Sequence, residues 1–223
     1  RQRARALLTP DHGEVRLVAV EPGHEDHTGL VEARGRGKDV ARQRHRGAQD
    51  VVERLRVALR ELTERGHRVT VLHTGQHEAV AEVLYQFFGM GPDIRLPTQR
   101  RTNRLGDLTA LLLEGVDRVL GDTMPDVVLV QGDTTSACVG ARAGYYIDRP
   151  VAHIEAGLRT GTREPFPEEK NRELIARLAH WHFAPTVRTR ENLVHEGIAT
   201  DRIHVVGNTV IDAARWTQRH IQP

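Results

Sequence analysis

Apolar residues recur at helical spacing from Gln49 onward. Val51, Leu55, Leu59 and Leu62 fall on one stripe, and Gly66 sits where such a helix would stop. Residues 69–73 follow as a short β-branched strand, and 78–88 read as a helix closed by Gly89 and Gly91-Pro92. A longer helix is predicted over about 104–120, with Leu105, Leu108, Leu112, Val116 and Val119 as its apolar face. Val127-Val128-Leu129-Val130 is apolar at every position, which suits a strand buried on both faces in the middle of a parallel sheet. The alternation continues with helix 134–146, strand 150–154, helix 168–179, strand 181–184, helix 187–196, strand 203–206 and helix 212–220.

Strands alternating with helices of this length predict an α/β fold, a Rossmann-like parallel sheet with helices on both faces. Residues 1–48 read differently. They are rich in Arg, Gly, His and Asp, carry no buried-face period, and predict a basic, disordered arm whose one candidate strand is 15–20. The regular domain is expected over 49–212, with 213–223 beginning a further helix.

Composition narrows the field. Of 223 residues, 39% are hydrophobic and 28% charged, enough for a globular core. The net charge of +2 comes from 32 basic and 30 acidic residues, a balance that does not point to nucleic acid or an anionic membrane. No apolar run approaches the roughly 20 residues of a spanning helix, and the N-terminal apolar stretch is too short for a secretory signal. One cysteine, Cys138, excludes an intrachain disulfide and a cysteine-based zinc site, and fits a reducing, cytoplasmic setting.

In parallel α/β sheets ligands bind beyond the carboxyl ends of the strands. Polar clusters follow several of them: His73-Thr74-Gly75-Gln76-His77, Gln131-Gly132-Asp133-Thr134-Thr135-Ser136 and His153-Ile154-Glu155-Ala156-Gly157-Leu158-Arg159-Thr160. A fourth, Pro165 to Arg172, opens a helix. Each has a purely structural reading. Asp133 and the hydroxyls after it suit a helix N-cap. Glu155 and Arg159 are close enough in sequence for an ion pair, and Glu168 and Glu169 complement a helix dipole. Their joint position argues for more. Asp133, Glu155 and Glu168 are all expected at one end of one sheet, where surroundings can divide carboxylates into acid and base. The histidines show no metal-site spacing, and Walker-type or GxGxxG phosphate loops are absent, so no metal or cofactor is expected.

Taken in order, these clusters, with His182-Phe183-Ala184-Pro185-Thr186 and Gly207-Asn208-Thr209-Val210-Ile211-Asp212, resemble the bacterial non-hydrolysing UDP-N-acetylglucosamine 2-epimerases. The resemblance covers about Val51 to Asp212. It implies the first domain of a two-domain, glycosyltransferase-B-like fold that interconverts UDP-N-acetylglucosamine and UDP-N-acetylmannosamine by eliminating and re-adding UDP. It implies Asp133, Glu155 and Glu168 as the acid/base group. His153, Arg159 and Asn171 would support that group or the sugar, and Gln76 and His77 would line the same wall. Gln76, Arg159 and Glu169 are weaker candidates for a neighbouring allosteric subsite. The partner implied is UDP-N-acetylglucosamine or a related UDP-sugar, and the assembly a homodimer.

The chain also departs from the family. Glu21-Pro22-Gly23-His24 replaces the expected Gly-Thr-Arg-Pro-Glu loop, and the 160–165 loop is one residue short. A second, UDP-binding domain is not in the sequence, so little turnover is expected from residues 1–223 alone. The rival reading is an inactive family fragment that acts, if at all, as a binding or interaction domain. Epimerases of diacetylated UDP-sugars and hydrolysing relatives stay open as alternatives.

Overall fold

A computed structural model describes residues 15–21, 58–75, 91–97 and 102–220. The helix expected over 78–88, with Gln76 and His77, lies outside them. In chain order the described elements are β1 (Arg16–Glu21), the helix α1 over 58–64, β2 (Arg68–His73), β3 (Ile94–Arg95) and α2 (Leu105–Thr123). Then come β4 (Val127–Gln131), α3 (Thr135–Tyr146), β5 (Val151–Ile154), α4 (Glu168–Leu178), β6 (Trp181–Ala184), α5 (Val187–His195), β7 (Ile203–Val205) and α6 (Thr209–His220).

All seven strands are parallel, in the order β3-β2-β1-β4-β5-β6-β7. The order reverses between β1 and β4, so the crevice of a doubly wound sheet opens at their carboxyl ends. β1 is therefore a central strand, not part of an arm. The boundary expected at residue 49 cuts the sheet from its own middle. Composition misled here because a short apolar run is flanked by polar, glycine-rich sequence.

The pleat sorts the strand residues onto two faces. Val18, Val20, Leu72, Val128, Val130 and Val151 pack against Leu108, Leu112, Val116 and Leu120 of α2, the alanines of α3, and Ile175 of α4. On the other face Leu17, Ala19, Val71, Leu129 and Ala152 meet Leu59 and Leu62 of α1. Each buried Val, Leu or Ile side chain among them contributes about 1.5–3 kcal/mol on burial. The stripe on α2 runs through Leu120, with Leu105 and Val119 only partly buried.

Two smaller differences concern ends. The two-residue β3 was not expected, being too short to show a period. α6 starts at Thr209, because the Asn208 side chain accepts the Val210 N–H at 3.1 Å and caps it three residues before the expected start. No helix among the described residues is long and apolar enough to cross a membrane.

Candidate active site

The loop after β4 is held from several directions. Gly132 has φ +71°, turning the chain sharply as it leaves the strand. Thr134, not Asp133, caps α3, its hydroxyl accepting the Ala137 N–H at 3.2 Å. The Ala137 N–H is thus satisfied by Thr134. Arg172 of α4 grips the Asp133 carboxylate. Nε at 2.7 Å and a terminal guanidinium nitrogen at 2.5 Å both reach Oδ2. The neighbouring Asn171 amide donates to the Asp133 carbonyl at 2.8 Å.

His153, near the end of β5, completes the clamp. Its Nε2 lies 2.8 Å from the Gly132 carbonyl. A carbonyl can only accept, so Nε2 carries the proton. The ring is fully buried, and burial pushes its pKa down to about 3. His182 sits beside it in register on β6, and burial likewise holds it at about 4. Both imidazoles are neutral near pH 7.

Glu169 lies behind Arg172 and is 2% exposed. Its Oε1 accepts the Thr160 and Gly161 N–H groups at 2.9 and 3.0 Å, and Oε2 accepts Arg172 at 3.0 Å. Burial alone would raise its pKa. The Gly161 and Thr160 N–H groups and Arg172 outweigh that and hold it below the usual range. Glu168 precedes it as the first residue of α4, one turn ahead of the two side chains that bond Asp133.

Glu155 follows β5 directly and has φ +68°. A non-glycine residue in this left-handed region costs about 1–2 kcal/mol. Its Oε1 accepts the Asn208 amide, from the β7–α6 turn, at 3.1 Å. The loop beyond it lies along one face of α5. Asn192 donates to the Gly157 carbonyl at 2.9 Å, and Arg159 reaches Glu196 through Nε at 2.6 Å and a terminal nitrogen at 2.8 Å. A Cβ at Gly157 would stand 2.2 Å from the Thr189 carbonyl oxygen. The fork of Arg159 thus goes to Glu196, where the sequence left a pairing with Glu155 open.

The structure brings Asp133 and Glu155 to the ends of adjacent strands, where the Gly132 N–H donates to the Ile154 carbonyl at 3.0 Å. Glu168 opens α4, the helix whose Asn171 and Arg172 bond Asp133. His153 and Asn171 hold the backbone around Asp133. Arg159 and Glu169 are engaged in internal ion pairs and brace the loops. Among the described residues no three or more histidines, cysteines or carboxylates gather as metal ligands.

Sequence reasoning missed Arg172, Asn208 and Glu196. Arg172 ends the Pro165 to Arg172 cluster, one residue after Asn171, and i to i+3 spacing from Glu169 was its signal. Glu196 gave none, being far from Arg159 in sequence.

A family model described as UDP-N-acetylglucosamine 2-epimerase matches residues 60–223. The chain belongs to that family. A UDP-N-acetylglucosamine 2-epimerase of Yersinia pestis is 44% identical over 149 residues, 66% of this chain and 40% of that protein. The crystal structure of UDP-GlcNAc 2-epimerase from Neisseria meningitidis bound to UDP-GlcNAc superposes with TM-score 0.75 at 30% identity, covering 92% of this chain and 48% of that one. The Methanocaldococcus jannaschii enzyme, in complex with UDP-GlcNAc and UDP, gives 0.71 at 27% identity, covering 92% and 49%. This epimerase-family chain spans about 40% of the length of the Yersinia relative.

Proposed function

We propose that this chain supplies the carboxylate-bearing wall of a UDP-N-acetylglucosamine 2-epimerase site, with Asp133, Glu155 and Glu168 as its acid/base group. The observation that carries the reading is the clamp on Asp133. A carboxylate gripped by Arg172, with its backbone held by Asn171 and His153, sits at the crevice end of a sheet in a chain of this family. Such fixing of a reacting group is how enzymes lower the cost of reaching the transition state.

The chemistry needs proton handling at C2 of the sugar. One carboxylate takes the C2 proton as the C1–oxygen bond to UDP breaks, leaving a 2-acetamidoglucal. UDP then adds back at C1 while a proton is delivered to the opposite face of C2, giving UDP-N-acetylmannosamine. Two faces must be served, which is why more than one carboxylate is required. A UDP-sugar ligand also fits the UDP-GlcNAc complexes of the Neisseria and Methanocaldococcus proteins. A homodimer in the cytoplasm accompanies this reading, and sedimentation equilibrium tests the dimer.

The test joins this chain to the C-terminal remainder of the Yersinia pestis relative and follows UDP-N-acetylglucosamine in D2O. Deuterium should enter at C2 and UDP-N-acetylmannosamine should form. Asp133→Asn, Glu155→Gln and Glu168→Gln should each lower the rate by about 100-fold or more. A folded, active chimera in which all three variants stay within about tenfold of the parent rate contradicts the assignment.

A further inference from the structure

Arg172 is only 14% exposed at its side chain, and it joins two carboxylates on different elements, Asp133 in the loop after β4 and Glu169 in the first turn of α4. On one side are the two nitrogens on Asp133 Oδ2. On the other, the remaining terminal nitrogen meets Glu169 Oε2 at 3.0 Å. Burial would lower the Arg172 pKa, and the charges of Asp133 and Glu169 outweigh it and raise it. Glu169 carries the connection onward through the Thr160 and Gly161 N–H groups.

We propose that Arg172 is a positioning residue, one that fixes the direction of the Asp133 carboxylate and, through Glu169, ties it to the loop at 160–161. The proposal rests on the reading of Asp133 as an acid/base residue but adds what sets that residue in place. A guanidinium is suited to the task. Its planar donors are fixed relative to one another, so gripping Glu169 with one nitrogen dictates where the others point. The consecutive side chains of Asn171 and Arg172 then hold Asp133 at its carbonyl and its carboxylate from a single turn of α4. Other ionisable groups around the loop are Glu168 and Glu169 of α4, Glu155 after β5, and His153, which is neutral above about pH 3.

The first readout needs no sugar nucleotide. The side-chain carboxyl carbon of Asp133, followed by NMR against pH in the chain itself, should titrate at least about one pH unit higher in Arg172→Met than in the parent. Arg172→Lys should recover most of the parent midpoint, since the charge remains. Glu169→Gln should leave the Asp133 midpoint near that of the parent, while the Thr160 and Gly161 amide resonances move. In the chimera, Arg172→Lys should lower kcat about tenfold or more with KM within about threefold. Arg172→Met should do so more severely, and its acid limb should move to higher pH.

An Asp133 midpoint unchanged in folded Arg172→Met overturns the proposal. Should that variant not fold, unchanged kcat in Arg172→Lys overturns it equally, because lysine cannot reproduce the fork. A chimera without turnover but with the Asp133 midpoint displaced would sink the epimerase reading and leave the Arg172–Asp133 coupling standing.

Discussion

At the scale of single residues, the site combines strain with burial. Glu155 holds a left-handed backbone for which a carboxylate has no intrinsic preference. Glycine at this position should therefore be more stable than alanine by about 1 kcal/mol, although neither can serve as an acid or base. Urea denaturation of Glu155→Gly and Glu155→Ala measures the gap, and equal stabilities would remove the strain argument. His153 and His182 supply a pH signature. Their folded pKa values, about 3 and about 4, lie below the ordinary 6.5, so the unfolded chain binds more protons between those limits. Their contribution is whole above about pH 6.5 and declines as pH falls, each costing about 1.4 kcal/mol per pH unit until its folded pKa is reached. The urea midpoint should fall steadily from pH 6.5 to 4.5. A flat profile across that range contradicts the buried neutral state.

Among elements, α5 acts as a rail for the loop that carries Glu155. Thr189, Asn192 and Glu196 meet Gly157 and Arg159 along one side of it. Gly157 is needed twice over, by φ +86° and by the nearby Thr189 carbonyl. Gly157→Ala should destabilise the chain by about 3 kcal/mol or more, read as a lowered urea midpoint, whereas a loss below about 1 kcal/mol would mean the loop moves aside freely. The elements themselves were largely legible. The apolar run 127–130 declared a central strand, and β6 was read at its full length, because buried strands and amphipathic helices leave a period in the chain. The place of β1 was not legible. Six residues cannot announce which neighbours they pair with, and pairing through β2 and β4 is a property of the whole sheet.

For the whole molecule, the parallel order fixes the end at which chemistry sits. Asp133 and Glu155 could be placed there from sequence because Glu155 directly follows a strand and Asp133 follows one after a single glycine. What sequence could not give was the bracing. The Arg172 fork and the Arg159–Glu196 pair join residues on separate elements and depend on how helices settle against the sheet. Arg159 was accordingly expected near the ligand and is found tying a loop to α5.

Binding of a UDP-sugar at the carboxyl edge around Asp133, Glu155 and Glu168 is checked by NMR titration of the chain with UDP-N-acetylglucosamine. Amide resonances of Gly132, Asp133, Glu155 and Glu168 should shift progressively up to about 10 mM ligand, while those of Tyr145 and Tyr146 at the far end of α3 stay still. Shifts confined to residues away from that edge, or none at that concentration, would contradict it.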